Sequence, residues 1–189
     1  MRLMLRSLLL LLVALAPPPP VRSAPLDGVL EVRSAYINFE NGVFALNARI
    51  QYPLNDEIRG ALLDGVALTF DLEVSITRAR RFWWNADVTA VALRRELSYH
   101  VVSDRYVVLD VSNGQPQNFS ALEDALAYIG TVEAWPVIVE PQLARDRDYE
   151  IAVRAGVRRG RMPDPLRSLI FWSDSWHRTS EWYAWSLPR

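Results

Sequence analysis

Residues 66–76, VALTFDLEVSI, place Val66, Leu68, Phe70, Leu72, Val74 and Ile76 on one parity and Ala67, Thr69, Asp71, Glu73 and Ser75 on the other. No helix can satisfy that period, because its apolar positions recur every three to four residues rather than every two. A strand satisfies it, provided that a second apolar layer covers one face. The same alternation runs through Phe44, Leu46, Ala48, Ile50 and Tyr52, and returns in Tyr149, Ile151, Val153, Ala155 and Val157. The chain therefore has to build at least one sheet with a buried side.

Turn signals divide this pattern into elements. Asn41-Gly42 separates two alternating runs and marks a two-residue hairpin between strands at 29–40 and 43–53. Asn55 is an N-cap for a short helix that ends at Gly65, with Asp56 and Glu57 in its first turn. Strands are expected at 66–76, 87–102, 105–112, 134–139 and 148–158, with Ser103-Asp104 turning between the fourth and fifth. Ser120-Ala121-Leu122-Glu123 reads as a capping box for a second helix, whose stripe Leu122, Ala125, Leu126 and Ile129 covers the core. RMPDPL, 161–166, forces an extended crossing from one sheet to the other. Segment 168–187 adds one or two strands. The expected fold is mainly β, an antiparallel β-sandwich with two short helices; the alternative is an α+β arrangement, with helices on one face of an antiparallel sheet.

The first residues address location. Arg2 and Arg6 precede the apolar run Leu8 to Ala16, which is far shorter than the roughly 20 residues of a spanning helix. That profile is a secretory signal peptide, with cleavage expected after Ser23, leaving residues 24–189 as a single β-rich domain. A retained anchor is the other reading of the segment. Loss of Arg2, Arg6 and Arg22 leaves 18 arginines against 22 carboxylates, a mildly acidic protein poorly suited to general nucleic-acid binding. The chain has no cysteine, which excludes disulfides, thiolate metal sites and a cysteine nucleophile. It also has no lysine: all 21 basic side chains are arginine, so an arginine cluster here says less than it would elsewhere.

The ordered landmarks RARRFWW, LSYH with RY five residues on, ALEDAL, YEIAVR, MPDPL, SDSW and SEWYAW span most of the chain beyond the leader. Together they resemble domain-of-unknown-function family 4390, exported proteobacterial proteins. The resemblance implies a periplasmic location and no assigned activity, cofactor or catalytic residue. It also implies a neighbourhood with a membrane sensor histidine kinase, a possible partner. Met162 stands where members more usually carry leucine.

Catalytic and metal chemistry find little support. His100 and His177 are the only histidines and have no helical pairing. No G-x-S-x-G elbow and no phosphate-cradling glycine run occurs. Glu96, Ser98 and His100 share one strand face, but neighbours in such a row are about 7 Å apart. No metal ligand and no cofactor is expected. Binding chemistry is better represented. Trp172, Trp176, Trp182 and Trp185 crowd the C-terminal stretch, and indoles supply large contact area at low entropy cost. Trp182 and Trp185 are three apart, so a strand points them to opposite faces. Continuing the phase of Ile76 directs Arg78 and Arg80 inward; either the strand has left the core by Arg78, or the pair lines a sheet end and meets carboxylates or backbone carbonyls, ahead of the hairpin tip Phe82-Trp83-Trp84-Asn85. Arg95 breaks the apolar face of the return strand, and a bulge near Arg94-Arg95 is expected to turn it outward. The expected binding residues are thus Arg78, Arg80, Trp83, Trp84, Trp182 and Trp185. The expected function is an envelope binding or interaction module rather than an enzyme, with a glycan or ester hydrolase as the alternative.

Overall fold

Asn41 and Gly42 both take positive φ, 51° and 78°, the left-handed pair that a tight two-residue hairpin demands. They join β1 (Glu31–Glu40) to β2 (Val43–Gln51), with Glu40 opposite Val43. The computed structural model describes residues 29–78, 86–144, 147–160 and 177–187. The leader 1–23, Arg80, the 82–85 hairpin tip with Trp83 and Trp84, the 161–166 crossing, Trp172 and Trp176 lie outside the described residues.

After β2 comes α1 (Asp56–Leu63), capped as expected: the Asn55 side chain accepts a hydrogen bond from the Ile58 amide. Its apolar edge, Ile58 and Leu62, is fully buried. The chain continues through β3 (Leu68–Arg78), β4 (Ala86–His100), β5 (Arg105–Asp110), β6 (Pro116–Phe119), α2 (Leu122–Ile129), β7 (Thr131–Val139), β8 (Tyr149–Arg159), β9 (His177–Thr179) and β10 (Tyr183–Ser186). Strands β1, β2 and β7 form a three-stranded sheet in that order. The larger sheet runs β10-β8-β3-β4-β5-β6, with β9 also pairing with β8. Every strand pair is antiparallel and neither sheet closes, giving a mainly β, sandwich-like fold with two short helices.

One core joins the layers. Leu46, Ala48 and Ile50 of the small sheet share a buried cluster with Phe70, Leu72, Val74, Ile151 and Val153 of the large one. Tyr52, just past β2, sets its ring edge-on to Phe70 at 4.8 Å. All four residues of the α2 stripe are buried in the same cluster. Gly130 ends α2 where space is shortest: a Cβ there would stand 2.2 Å from the Ile50 carbonyl oxygen.

Three local expectations are corrected. The Ser120 capping box does not form: Ala121 occupies the N-cap and no side chain caps the helix. β6 was not anticipated, because PQNF has no apolar alternation; it forms by pairing with the far edge of β5. No bulge occurs at Arg94-Arg95. The irregularity in the β3–β4 ladder lies at Ile76/Thr77, and Arg95 stays inward opposite Phe70. Its Nη1 donates to the carbonyls of Tyr128, Ile129 and Thr131 at 2.9–3.1 Å. The guanidinium sits 4.9 Å from the Tyr128 ring and pairs with Asp110 at 3.6 Å, an ionic contact too long for a hydrogen bond. A cation at the carbonyl end of a helix is favourable, so α2 takes up the charge that a bulge would have expelled.

Candidate interaction surface

The register of the large sheet determines its outer face, turned away from the core. On β3 that face is Thr69, Asp71, Glu73 and Ser75; Arg94 of β4 and Gly156 of β8 flank Asp71, and Arg154 of β8 flanks Glu73. Asp71 faces outward, as the alternation predicts, yet its side chain is only 12% exposed. Two guanidinium groups cover it. Arg94 Nε donates to Oδ1 at 2.7 Å, and Arg158 Nε donates to Oδ2 at 2.9 Å. Burial pushes the Asp71 carboxyl up, but hydrogen bonds from Arg158 and Arg94, with their charges, outweigh it. The group is held below the ordinary aspartate value.

Beside Asp71, Gly156 faces strand β9, whose Thr179 methyl would stand 3.7 Å from a Cβ there. The tip of His177, on β9 opposite Arg158, stands 3.6 Å from where a Gly156 Cβ would be. Two residues along β3, Glu73 Oε2 accepts from Arg154 Nη2 at 2.6 Å and Nε at 3.2 Å. The Trp182 ring lies 4.5 Å from the Arg154 guanidinium carbon. Trp182 remains 45% exposed. Acid, guanidinium and indole thus stack in a row across β3, β8 and the residue just before β10. Such stacking holds two long side chains in one geometry before any partner arrives.

The expected binding residues that are described, Arg78, Trp182 and Trp185, do not gather in one place. Trp182 projects from the outer face, whereas Trp185 pairs opposite Ile151 and packs against the core, as their spacing of three predicts. Arg78 ends β3 half-buried, opposite Tyr149 on the inner side. Glu96, Ser98 and His100 share the outer face, with Leu109, Val107 and Arg105 opposite them on β5. Asp71, Arg94, Arg154 and Arg158 were not among the expected binding residues. Their outward parity was readable, but nothing in the sequence told which of 21 arginines would meet Asp71.

Among the described residues no group of three or more histidine, aspartate or glutamate side chains is placed to hold a metal ion. Nor is any helix there long and apolar enough to cross a membrane. The family model described as Domain of unknown function (DUF4390) matches residues 28–186. No curated protein and no solved structure matches the chain.

Proposed function

We propose that this chain, which belongs to the DUF4390 family, is an exported periplasmic interaction module that docks on an envelope protein through the outer face of its large sheet. The observation that carries this reading is the exposed Trp182, stacked on a guanidinium that Glu73 already holds. Tryptophan and arginine dominate binding hot spots because they desolvate large areas while losing little side-chain freedom. Here much of that freedom is spent before binding. The charged, short apolar leader 1–23 supports export, and the periplasmic part of a membrane sensor histidine kinase is the first partner to test.

A photo-crosslinking amino acid placed at position 182 of the full chain, expressed in cells, is expected to yield one discrete adduct containing that kinase. The same probe at exposed Tyr36, on β1 of the opposite sheet, is expected to yield none. Trp182→Ala is expected to weaken binding to the purified kinase domain at least tenfold, about 1.4 kcal/mol or more. Equal labelling at 36 and 182, or unchanged affinity in Trp182→Ala, overturns the reading.

A further inference from the structure

Arg94 and Arg158 are held in an unusual way for surface cations. Each spends its Nε on a different oxygen of the same carboxylate, so Asp71 is fully engaged while the terminal Nη groups take no part in that pairing. Among the described residues those Nη groups meet no acceptor, and the two side chains are 47% and 41% exposed. Glu96, the next outer-face residue on β4, acts on Arg94 through its charge without hydrogen bonding to it. An acid that positions two guanidinium groups and leaves their free edges to solvent is a receptor for a second oxyanion, because arginine binds carboxylates through paired N–H donors.

We propose that Arg94 and Arg158, oriented by Asp71, receive a carboxylate side chain from an acidic, extended segment of the partner protein. This deepens the interaction reading above and rests on it. The shape of the face selects a peptide over a compact anion. Between the Arg94–Asp71–Arg158 cluster and Trp182 stand Glu73 and Arg154, opposite one another on β3 and β8 and already paired at 2.6 Å. The face is an exposed sheet surface, so a free phosphate set on the two guanidinium edges would keep most of its water. An extended chain crossing the face would set an acid on the arginines and an apolar residue against Trp182.

Titration calorimetry of the mature chain separates the possibilities, using three probes at 50 mM salt: a blocked hexaglutamate peptide, inorganic phosphate, and phosphatidylglycerol vesicles. The peptide is expected to bind, and to weaken at least tenfold by 300 mM salt. Arg94→Gln and Arg158→Gln are each expected to weaken it at least fivefold, and the double variant to abolish it. Asp71→Asn is the sharpest arm. It removes a negative charge, so a diffuse basic patch would bind the peptide more tightly; an oriented site binds it at least threefold more weakly. Near-ultraviolet dichroism confirms that each variant is folded, and if Asp71→Asn is not, the arginine variants decide alone. The proposal is overturned if phosphate or vesicles bind and the peptide does not, or if Asp71→Asn binds more tightly. It is also overturned if the arginine variants bind as well as the parent. If crosslinking at 182 still captures the kinase in the double variant with undiminished yield, the acidic-segment proposal falls and the interaction module stands.

Discussion

Individual residues carry the fold's strain as well as its contacts. Among the described residues three non-glycine residues take positive φ: Asn41, Asp104 and Ala134, at 51°, 51° and 47°. Asn and Asp tolerate that region because a short polar side chain can bond locally, whereas a β-carbon such as alanine's costs about 1–2 kcal/mol there. Ala134 is imposed by tertiary structure. It lies where β7 slips against β2, between Val132 opposite Ala48 and Trp135 opposite Leu46. The Asn47 side chain accepts a hydrogen bond from the Ala134 amide at 3.1 Å and holds the slipped backbone in place. Because Ala134 is exposed, its methyl contributes little packing. Ala134→Gly is therefore expected to stabilise the protein by about 0.5–1 kcal/mol, the relief of strain exceeding the extra chain entropy of glycine. Urea denaturation monitored by tryptophan fluorescence measures it; a lower midpoint at equal slope would sink the argument.

At the scale of elements, β4 offers a comparison between neighbours. Arg94 and Arg95 are adjacent but face opposite sides of one strand, Arg94 47% exposed and Arg95 12% exposed at the side chain. Arg95 fastens α2 to the sheet through three carbonyls and Asp110, so Arg95→Met strands those groups and is expected to cost about 3 kcal/mol. Arg94→Met leaves Asp71 its bond to Arg158 and is expected to cost under about 1 kcal/mol. Equal urea midpoints for the two variants would show that α2 does not depend on Arg95. The same pair marks where sequence reasoning stops. Period two made β1 to β5 and β8 legible, and Asn41-Gly42 set the first register, because those signals are local. That Arg95 continues the inward phase was equally visible. Its solution, carbonyls 33 to 36 residues away at the end of a helix, was not. Nor was the cover over Asp71, since Arg158 comes from 87 residues downstream. β6 left no trace because an exposed strand that only completes an edge needs backbone pairing and no apolar code. On the proposed interaction surface, the spacing of Trp182 and Trp185 showed that they face opposite sides, but neither which of them points outward nor the arginine that stacks on it was legible.

Over the whole molecule, the choice of arginine for every basic side chain decides how stability depends on pH. Guanidinium groups do not titrate in the accessible range, and with no lysine or cysteine the cationic half of each ion pair stays charged throughout. The acid limb then belongs to carboxylates. Asp71 is held below its ordinary value as described; for Asp110, burial pushes up, but hydrogen bonds from Ser112 and the Arg95 charge outweigh it. In both cases the unfolded chain binds a proton more readily than the folded one. Their stabilisation is complete above the ordinary aspartate value and is lost as pH falls through about 4 and below. The alkaline limb belongs to tyrosine. Burial pushes the Tyr52 hydroxyl far above its usual value, with the Arg95 charge opposing and the Asp71 charge adding. The unfolded chain therefore loses that proton first, and stability declines as pH rises beyond about 10. The expected profile is a plateau from about pH 5 to 9 with a fall on each side. Tyr52→Phe keeps the ring against Phe70 and removes the titrating group, so it is expected to flatten the alkaline fall and leave the acid limb unchanged. Asp71→Asn is expected to lower the plateau and flatten the acid limb, with a smaller softening of the alkaline fall because the Asp71 charge also raises Tyr52. Urea midpoints taken at half-unit pH steps measure both, and an alkaline fall that survives in Tyr52→Phe would reassign it to the other six tyrosines.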